Sequence, residues 1–206
     1  MNKHIKWFGE LWCGFFVDTR LIDRNTVVLS FGVGTDITFD LGLYNKGVRN
    51  IYLFDPSSIS KKYIQKIKLP ASFSFYAFGL SDEDKTVSFF MPKDENKVSG
   101  SSYQHQHLDE HQPVKVEMKK LSTTMNMLNI SHIDILKIDI EGSEFDVIKN
   151  MMEEKIYPMQ ICVEYHSRYF EDGQQKLKDS INLLLSHQYE LCAQTNGEEY
   201  LFCYKN

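Results

Sequence analysis

Short apolar runs separated by amphipathic stretches set the pattern of this chain. Residues 25–31 form an apolar run rich in Thr26, Val27, Val28 and Leu29, which favour extended structure, and Gly32-Val33-Gly34-Thr35 breaks it. Residues 36–45 place Ile37, Leu41 and Tyr44 at helical spacing, and Gly47 stops the helix. A second strand over 50–54 ends at Asp55-Pro56, and a helix over 57–68 precedes Pro70. A third strand is expected over 72–78, a loop over 79–82 and a short strand over 86–91. The polar stretch 94–113 reads as a long loop, 114–118 alternates as an edge strand would, and 121–128 reads as a helix. The later part is clearer. A strand over 133–138 leads to a helix over 143–152, with Ser143 as its cap, and then to a strand over 160–163. A helix over 174–186 carries Leu177, Ile181, Leu184 and Leu185 on one side. Residues 189–193 and 200–204 pair antiparallel around a turn at Asn196-Gly197.

Strands alternating with helices predict an α/β fold with a mainly parallel sheet, covered on both faces and closed by a C-terminal antiparallel pair. Such sheets bind ligands at the carboxyl ends of their strands. Polar residues collect at those ends: Gly32 and Gly34, Asp55, Asp139 and Glu141, then Glu164 and His166. This convergence is the main argument for an enzyme. The length, 206 residues, suits one domain over 25–206 preceded by an aromatic-rich lead-in over 1–24. Trp7, Phe8, Leu11, Trp12, Phe15 and Phe16 of that lead-in are expected to pack on the domain or cover a ligand mouth.

Charge and cysteines narrow the function further. The net charge is −5, and Lys61, Lys62, Lys66 and Lys68 make only a local helix-face patch, so nucleic acid is not expected as a partner. Cys13, Cys162, Cys192 and Cys203 are scattered, which argues against zinc and against a disulfide framework and suits a cytoplasmic protein. No apolar run approaches the roughly 20 residues of a membrane span, so stable membrane insertion is not expected. The sequence does not speak to the oligomeric state.

The glycine loop and Asp55 fit an adenosine-bearing cofactor. Small residues let backbone approach a ligand, and an acid after the second strand can accept both hydroxyls of a ribose. Two features lean away from a dinucleotide. Ile37 occupies the third glycine position of G-x-G-x-x-G, and Asp36 at the helix start would repel a pyrophosphate. A sulfonium cofactor has no phosphate, and its ammonium would welcome an acid.

The segment Asp134-Ile135-Leu136-Lys137-Ile138-Asp139-Ile140-Glu141-Gly142-Ser143-Glu144 closely resembles the signature of the FkbM-like methyltransferase family. The resemblance extends to residues 30–40, to Phe54-Asp55-Pro56, to Gly79-Leu80-Ser81-Asp82 and to Val163-Glu164-Tyr165-His166, all in family order. It implies a Rossmann-like class I methyltransferase fold, S-adenosylmethionine as cofactor, and a sugar, glycan or small-molecule hydroxyl as methyl acceptor. It would place Gly32, Gly34 and Asp36 by the aminoacyl part of the cofactor, Asp55 on the ribose, and Leu80, Ser81 and Asp82 beside the adenine. Asp139 and Glu141 would face the sulfonium and the acceptor. Many members carry an acid where Ser30 stands and a glycine where Asp36 stands, so here the acid is expected to have moved into the loop.

For proton removal from the acceptor, His166 is the first candidate, with Asp139, Glu141 and Glu164 beside it. These carboxylates could hold the acceptor hydroxyl, the cofactor ammonium or a divalent cation, but spacing alone establishes no metal site. Glu144 is expected in the first helix turn, favoured by the dipole. His105, His107 and His111 lie in the polar loop with Ser99, Ser101 and Ser102; exposed loop or acceptor lid is the reading there. Arg20, Lys137 and Arg168 are open to acidic substrate groups or to surface salt bridges. The alternatives are a nucleotide-dependent oxidoreductase and a catalytically inactive cofactor-binding module.

Overall fold

The computed structural model describes residues 3–90 and 113–205. Its strands and helices in chain order begin with β1 (Ile5–Phe8), β2 (Phe15–Asp18), β3 (Val27–Phe31), α1 (Thr38–Asn45), β4 (Asn50–Phe54) and α2 (Ser58–Lys66). They continue with β5 (Phe73–Tyr76), β6 (Gly79–Leu80), β7 (Lys85–Phe89), β8 (Val114–Lys119), α3 (Leu121–Leu128) and β9 (Ile135–Ile138). The last are α4 (Glu144–Glu153), β10 (Gln160–Glu164), α5 (Gly173–Ser186), β11 (Tyr189–Gln194) and β12 (Glu199–Tyr204).

Seven strands form the central sheet in the order β11-β12-β10-β9-β3-β4-β5. All neighbours from β10 to β5 run parallel, and β12 is antiparallel to both β10 and β11. The chain winds outward from β3 through β4 to β5, then resumes on the other side of β3 with β9 and β10. The crevice between β3 and β9 is therefore the point where the winding reverses, the usual ligand position in such sheets.

Side chains alternate across the sheet, so each strand feeds two cores. Val27, Leu29 and Phe31 face a core shared with Leu121, Val147, Ile148, Met151 and Leu184 of α3, α4 and α5. Val28, Ile51, Leu53 and Ile135 face the opposite core, closed by Phe39 and Leu43 of α1 and by Ile5, Phe8, Phe15 and Val17 of the β1–β2 hairpin. Two buried hydrogen bonds fasten that hairpin to β10. The Asp18 amide donates to Gln160 Oε1 (2.7 Å), and Gln160 Nε2 donates to the Asp18 carbonyl (3.1 Å). The turn of the hairpin is thereby held at the carboxyl end of the sheet.

Four local expectations are corrected. Residues 79–80 are not loop but a short strand parallel to β8, and β8 is not an edge: it is the centre of a small β6-β8-β7 sheet. Its partners supply hydrogen bonds on both sides, which alternation alone cannot reveal. Ser143 stands at the N-cap of α4 as expected, but its side chain makes no capping hydrogen bond among the described residues; the Glu144 carboxylate takes the amides of Ile140 and Gly142. Leu185 is exposed rather than in the core, because α5 presents only a narrow stripe to the sheet. The expected 94–113 loop, apart from Pro113, lies outside the described residues, as does Met91 of the expected 86–91 strand. No helix of the described residues is long and apolar enough to cross a membrane.

Candidate functional site

A cavity of about 310 Å³ opens at the carboxyl ends of β3, β4, β9 and β10. Its floor is the glycine loop after β3. Gly32 has φ +87°, and a Cβ there would lie 1.8 Å from the Asp139 carbonyl oxygen, so only glycine lets the loop pass under the end of β9. Asp55 shapes the same loop. Its Oδ2 accepts the amides of Val33 (3.0 Å) and Gly34 (2.9 Å), and its Oδ1 accepts that of Ser57 (2.8 Å). Both oxygens serve the backbone. Asp55 lines the cavity where a ribose acceptor is expected, and the geometry shows it also braces the loop.

One wall carries buried charge. Lys137 on β9 is buried; its ammonium donates to the Gly32 carbonyl, lies 3.3 Å from Asp139 Oδ2 and sits over the Phe15 ring. Burial alone would lower its pKa, but Asp139 and Asp40 outweigh that and hold the ammonium charged. Asp40, on the first turn of α1, is 2% exposed and lines the cavity. Its Oδ1 and the Ser30 hydroxyl on β3 make no well-formed hydrogen bond among the described residues, although the hydroxyl is near enough to steady the carboxylate. Burial pushes the Asp40 carboxyl up to about 6, against the pull of Lys137 and of the Ser30 hydroxyl. Sequence reasoning missed Asp40. The available signal was Ser30 standing where many members of the resembled family carry an acid. Asp36, the expected carrier of that charge, lines the cavity but spends Oδ1 on the amide (2.7 Å) and hydroxyl (2.6 Å) of Thr38.

The opposite wall gathers the acids of the β9 and β10 ends around one imidazole. His166 is 1% exposed. Its Nδ1 lies 2.8 Å from Glu144 Oε1. Its Nε2 lies 3.3 Å from Glu141, 3.6 Å from Glu164 and 4.0 Å from Asp139. Burial alone would lower the pKa of this ring, but Glu144, Glu141 and Asp139 together raise it to about 9. A buried imidazole in that setting keeps its proton near neutrality and does not fit the general base expected of it. Glu144 is fully buried and organises the turn, rather than simply facing the helix dipole. Glu141 holds a left-handed φ of +55° and accepts the Tyr169 hydroxyl at 2.6 Å. Burial and the neighbouring Asp139 raise the Glu164 carboxyl to about 7.

The remaining residues divide. Asp139, Glu141 and Glu164 line the cavity with Gly32, Gly34 and Leu80, but Ser81 and Asp82 do not. Ser81 donates to Asp82, and Asp82 pairs with Lys85 at the surface, because the chain turns away after β6. Phe31 and Phe54 stack at 4.3 Å in the apolar end, near Phe89 and Met118. At the rim stands Trp12, 88% exposed, beside Cys13 of the hairpin turn. Trp7 packs edge-on against Phe16 and Phe8 is buried, so the lead-in aromatics split between core and cavity mouth. Arg168 reaches the rim and pairs with Glu198; Arg20 pairs with Asp18, away from the cavity. Ser99, Ser101, Ser102, His105, His107 and His111 lie outside the described residues.

Comparison with known proteins agrees with this geometry. The methyltransferase FkbM domain family matches residues 19–191. A 2-O-methyltransferase, NoeI, from Sinorhizobium fredii is 33% identical over 104 residues, covering 47% of this chain and 42% of that protein. The chain thus matches less than half the length of that relative. Among solved structures, a fibrillarin pre-rRNA processing protein from Methanococcus jannaschii superposes with a TM-score of 0.51 at 10% identity, covering 90% of this chain and 69% of the other. The shared architecture is the Rossmann-like class I methyltransferase fold.

Proposed function

We propose a cofactor, an acceptor class and a division of labour for this chain, which belongs to the methyltransferase FkbM domain family. The cofactor is S-adenosylmethionine and the acceptor a sugar or glycan hydroxyl. Family membership leaves no support for the nucleotide-dependent oxidoreductase alternative.

The single observation that carries the cofactor reading is Asp40. A buried carboxylate oxygen in a cavity wall, without a well-formed partner among the described residues, is costly unless a donor completes it. The aminoacyl ammonium is such a donor, and the Gly32–Gly34 loop leaves space beside it. The apolar end, lined by Leu80, Phe54, Phe89 and Met118, suits a flat heteroaromatic ring. Bound there, the cofactor supplies an electrophilic methyl on a sulfonium.

The chain's own residues position the acceptor. Asp139, Glu141 and Glu164 offer carboxylate oxygens to neighbouring hydroxyls of a polyol, and Trp12 at the rim offers an apolar face to a sugar ring. The proton released by the attacking hydroxyl passes to this carboxylate wall, with His166 behind it holding the acids together. The relative named as a 2-O-methyltransferase supports an oxygen acceptor. Isothermal titration of cofactor-stripped protein with S-adenosylmethionine tests the reading, with Asp40→Asn beside the wild type. One-site binding weakened at least about tenfold in the variant is expected, the loss of one charge-assisted contact. Absence of binding by folded wild type would refute it. Binding without turnover on any hydroxyl of a glycan panel would favour the inactive-module alternative.

A further inference from the structure

We propose that Asp139, Glu164 and His166 form a divalent-cation site in the wall of the cavity. One ligand atom from each lies within 4.8 Å of the other two. These separations are spanned by donors about 2.0–2.6 Å from a common ion. The imidazole beside two carboxylates suits borderline Zn²⁺, and Mn²⁺ among the oxygen-preferring cations, better than Mg²⁺, which dehydrates reluctantly.

The imidazole makes this more than a group of acids. His166 is 1% exposed, so its Nε2 cannot turn to bulk water. Its Nδ1 is held by Glu144 at 2.8 Å, which fixes the ring plane. Its Nε2 points into the Asp139, Glu141 and Glu164 oxygens, at 3.3 to 4.0 Å. A carboxylate on one ring nitrogen and converging carboxylate oxygens on the other is how proteins orient a metal-binding histidine. An ion at that point takes the place of the Nε2 proton.

Charge and access agree. Four carboxylates, those of Asp139, Glu141, Glu144 and Glu164, surround the ring. Lys137 occupies the far oxygen of Asp139, leaving Oδ1 toward His166; Arg168 is held closely by Glu198 and reaches Glu164 Oε1 only at 3.9 Å. Asp139 and Glu164 line the cavity while His166 closes it from behind, so an ion held by the three faces the cavity with positions open to an acceptor oxygen. An acceptor hydroxyl bound there would lose its proton more readily, to Glu141 beside it. That role rests on the proposed methyl transfer; the site itself rests on side chains alone.

The test is Mn²⁺ binding by metal-stripped full chain, followed by the loss of the free-ion electron paramagnetic signal, without S-adenosylmethionine. One ion per chain is expected. Glu164→Gln should weaken it at least about tenfold, and Glu144→Gln, which loosens the ring together with the turn that Glu144 braces, by about 10–100-fold. Mn²⁺ should also raise the melting temperature of the wild type but not of Glu164→Gln, a readout that also reports whether the variant is folded. No binding by folded wild type of either Mn²⁺ or Zn²⁺ at millimolar concentration would overturn the proposal, as would equal affinity in folded Glu164→Gln and Asp139→Asn. Because cofactor titration is separate, failure here leaves the methyltransferase reading standing, and failure there leaves this site standing.

Discussion

Replacing Asp40 by asparagine should stabilise the protein while weakening its cofactor site. The carboxyl is 2% exposed, and one oxygen has no well-formed hydrogen bond among the described residues. Burial raises it from 3.8 to about 6 in the fold. A shift of about two units corresponds to about 3 kcal/mol, the cost of holding the charged form in the folded protein. The sign follows from which state binds the proton more tightly. Below about pH 3 Asp40 is protonated in both states and costs nothing; from there to about pH 7 the folded state keeps the proton longer, and stability falls as pH rises; above about pH 7 nearly the full cost is present. Asparagine never carries the charge. Urea denaturation of both proteins at about pH 3 and about pH 8 should therefore show a difference near zero at the first and about 3 kcal/mol in favour of Asp40→Asn at the second. A difference equal at both pH values, or a variant less stable at pH 8, would refute the argument that Asp40 is a charge held for a ligand. Saturating S-adenosylmethionine should narrow the gap at pH 8, since the ligand completes the wild-type carboxylate only.

Three further outcomes follow from the same walls. Asp55→Ala strands the amides of Val33, Gly34 and Ser57, and should cost at least about 2 kcal/mol in chemical denaturation; faster hydrogen exchange at Val33 and Gly34 would locate the loss in the loop, and unchanged exchange would contradict the bracing role. Gly32→Ala drives a methyl against the Asp139 carbonyl and should lower the melting temperature by more than about 10 °C, whereas Gly47→Ala, at φ +110° with open space around it, should cost only about 1 kcal/mol. Lys137→Met removes the cation between Asp40 and Asp139 and should destabilise by about 3–5 kcal/mol at neutral pH; Lys137→Met with Asp40→Asn should recover part of this, and strict additivity of the two changes would disprove their coupling.

Much of the architecture was legible because it depends on local pattern. Apolar runs of strand length between amphipathic stretches gave the order of elements, and polar residues after those runs marked the ligand end of the sheet. Gly32 was readable for the same reason: a close pass of backbone requires glycine whatever lies beyond. The sequence thus determined the parallel sheet, its antiparallel close and the membership of Asp139, Glu141 and Glu164 in one cavity wall. It could not determine what each side chain does there, because that depends on partners distant along the chain. Asp55 faces the cavity but is taken up by two loop amides and that of Ser57. Ser81 and Asp82 follow a strand and then turn away, since β6 pairs with β8, whose place no local pattern announces. His166 has the composition of a base, yet four carboxylates from three segments converge on it. Asp40 sits in an ordinary helical turn and becomes chemically notable only when packing buries it between Ser30 and Lys137. Position along an element is written in the local sequence; burial, pairing and charge at one point in space are sums over the whole fold, and only the tertiary structure decides them.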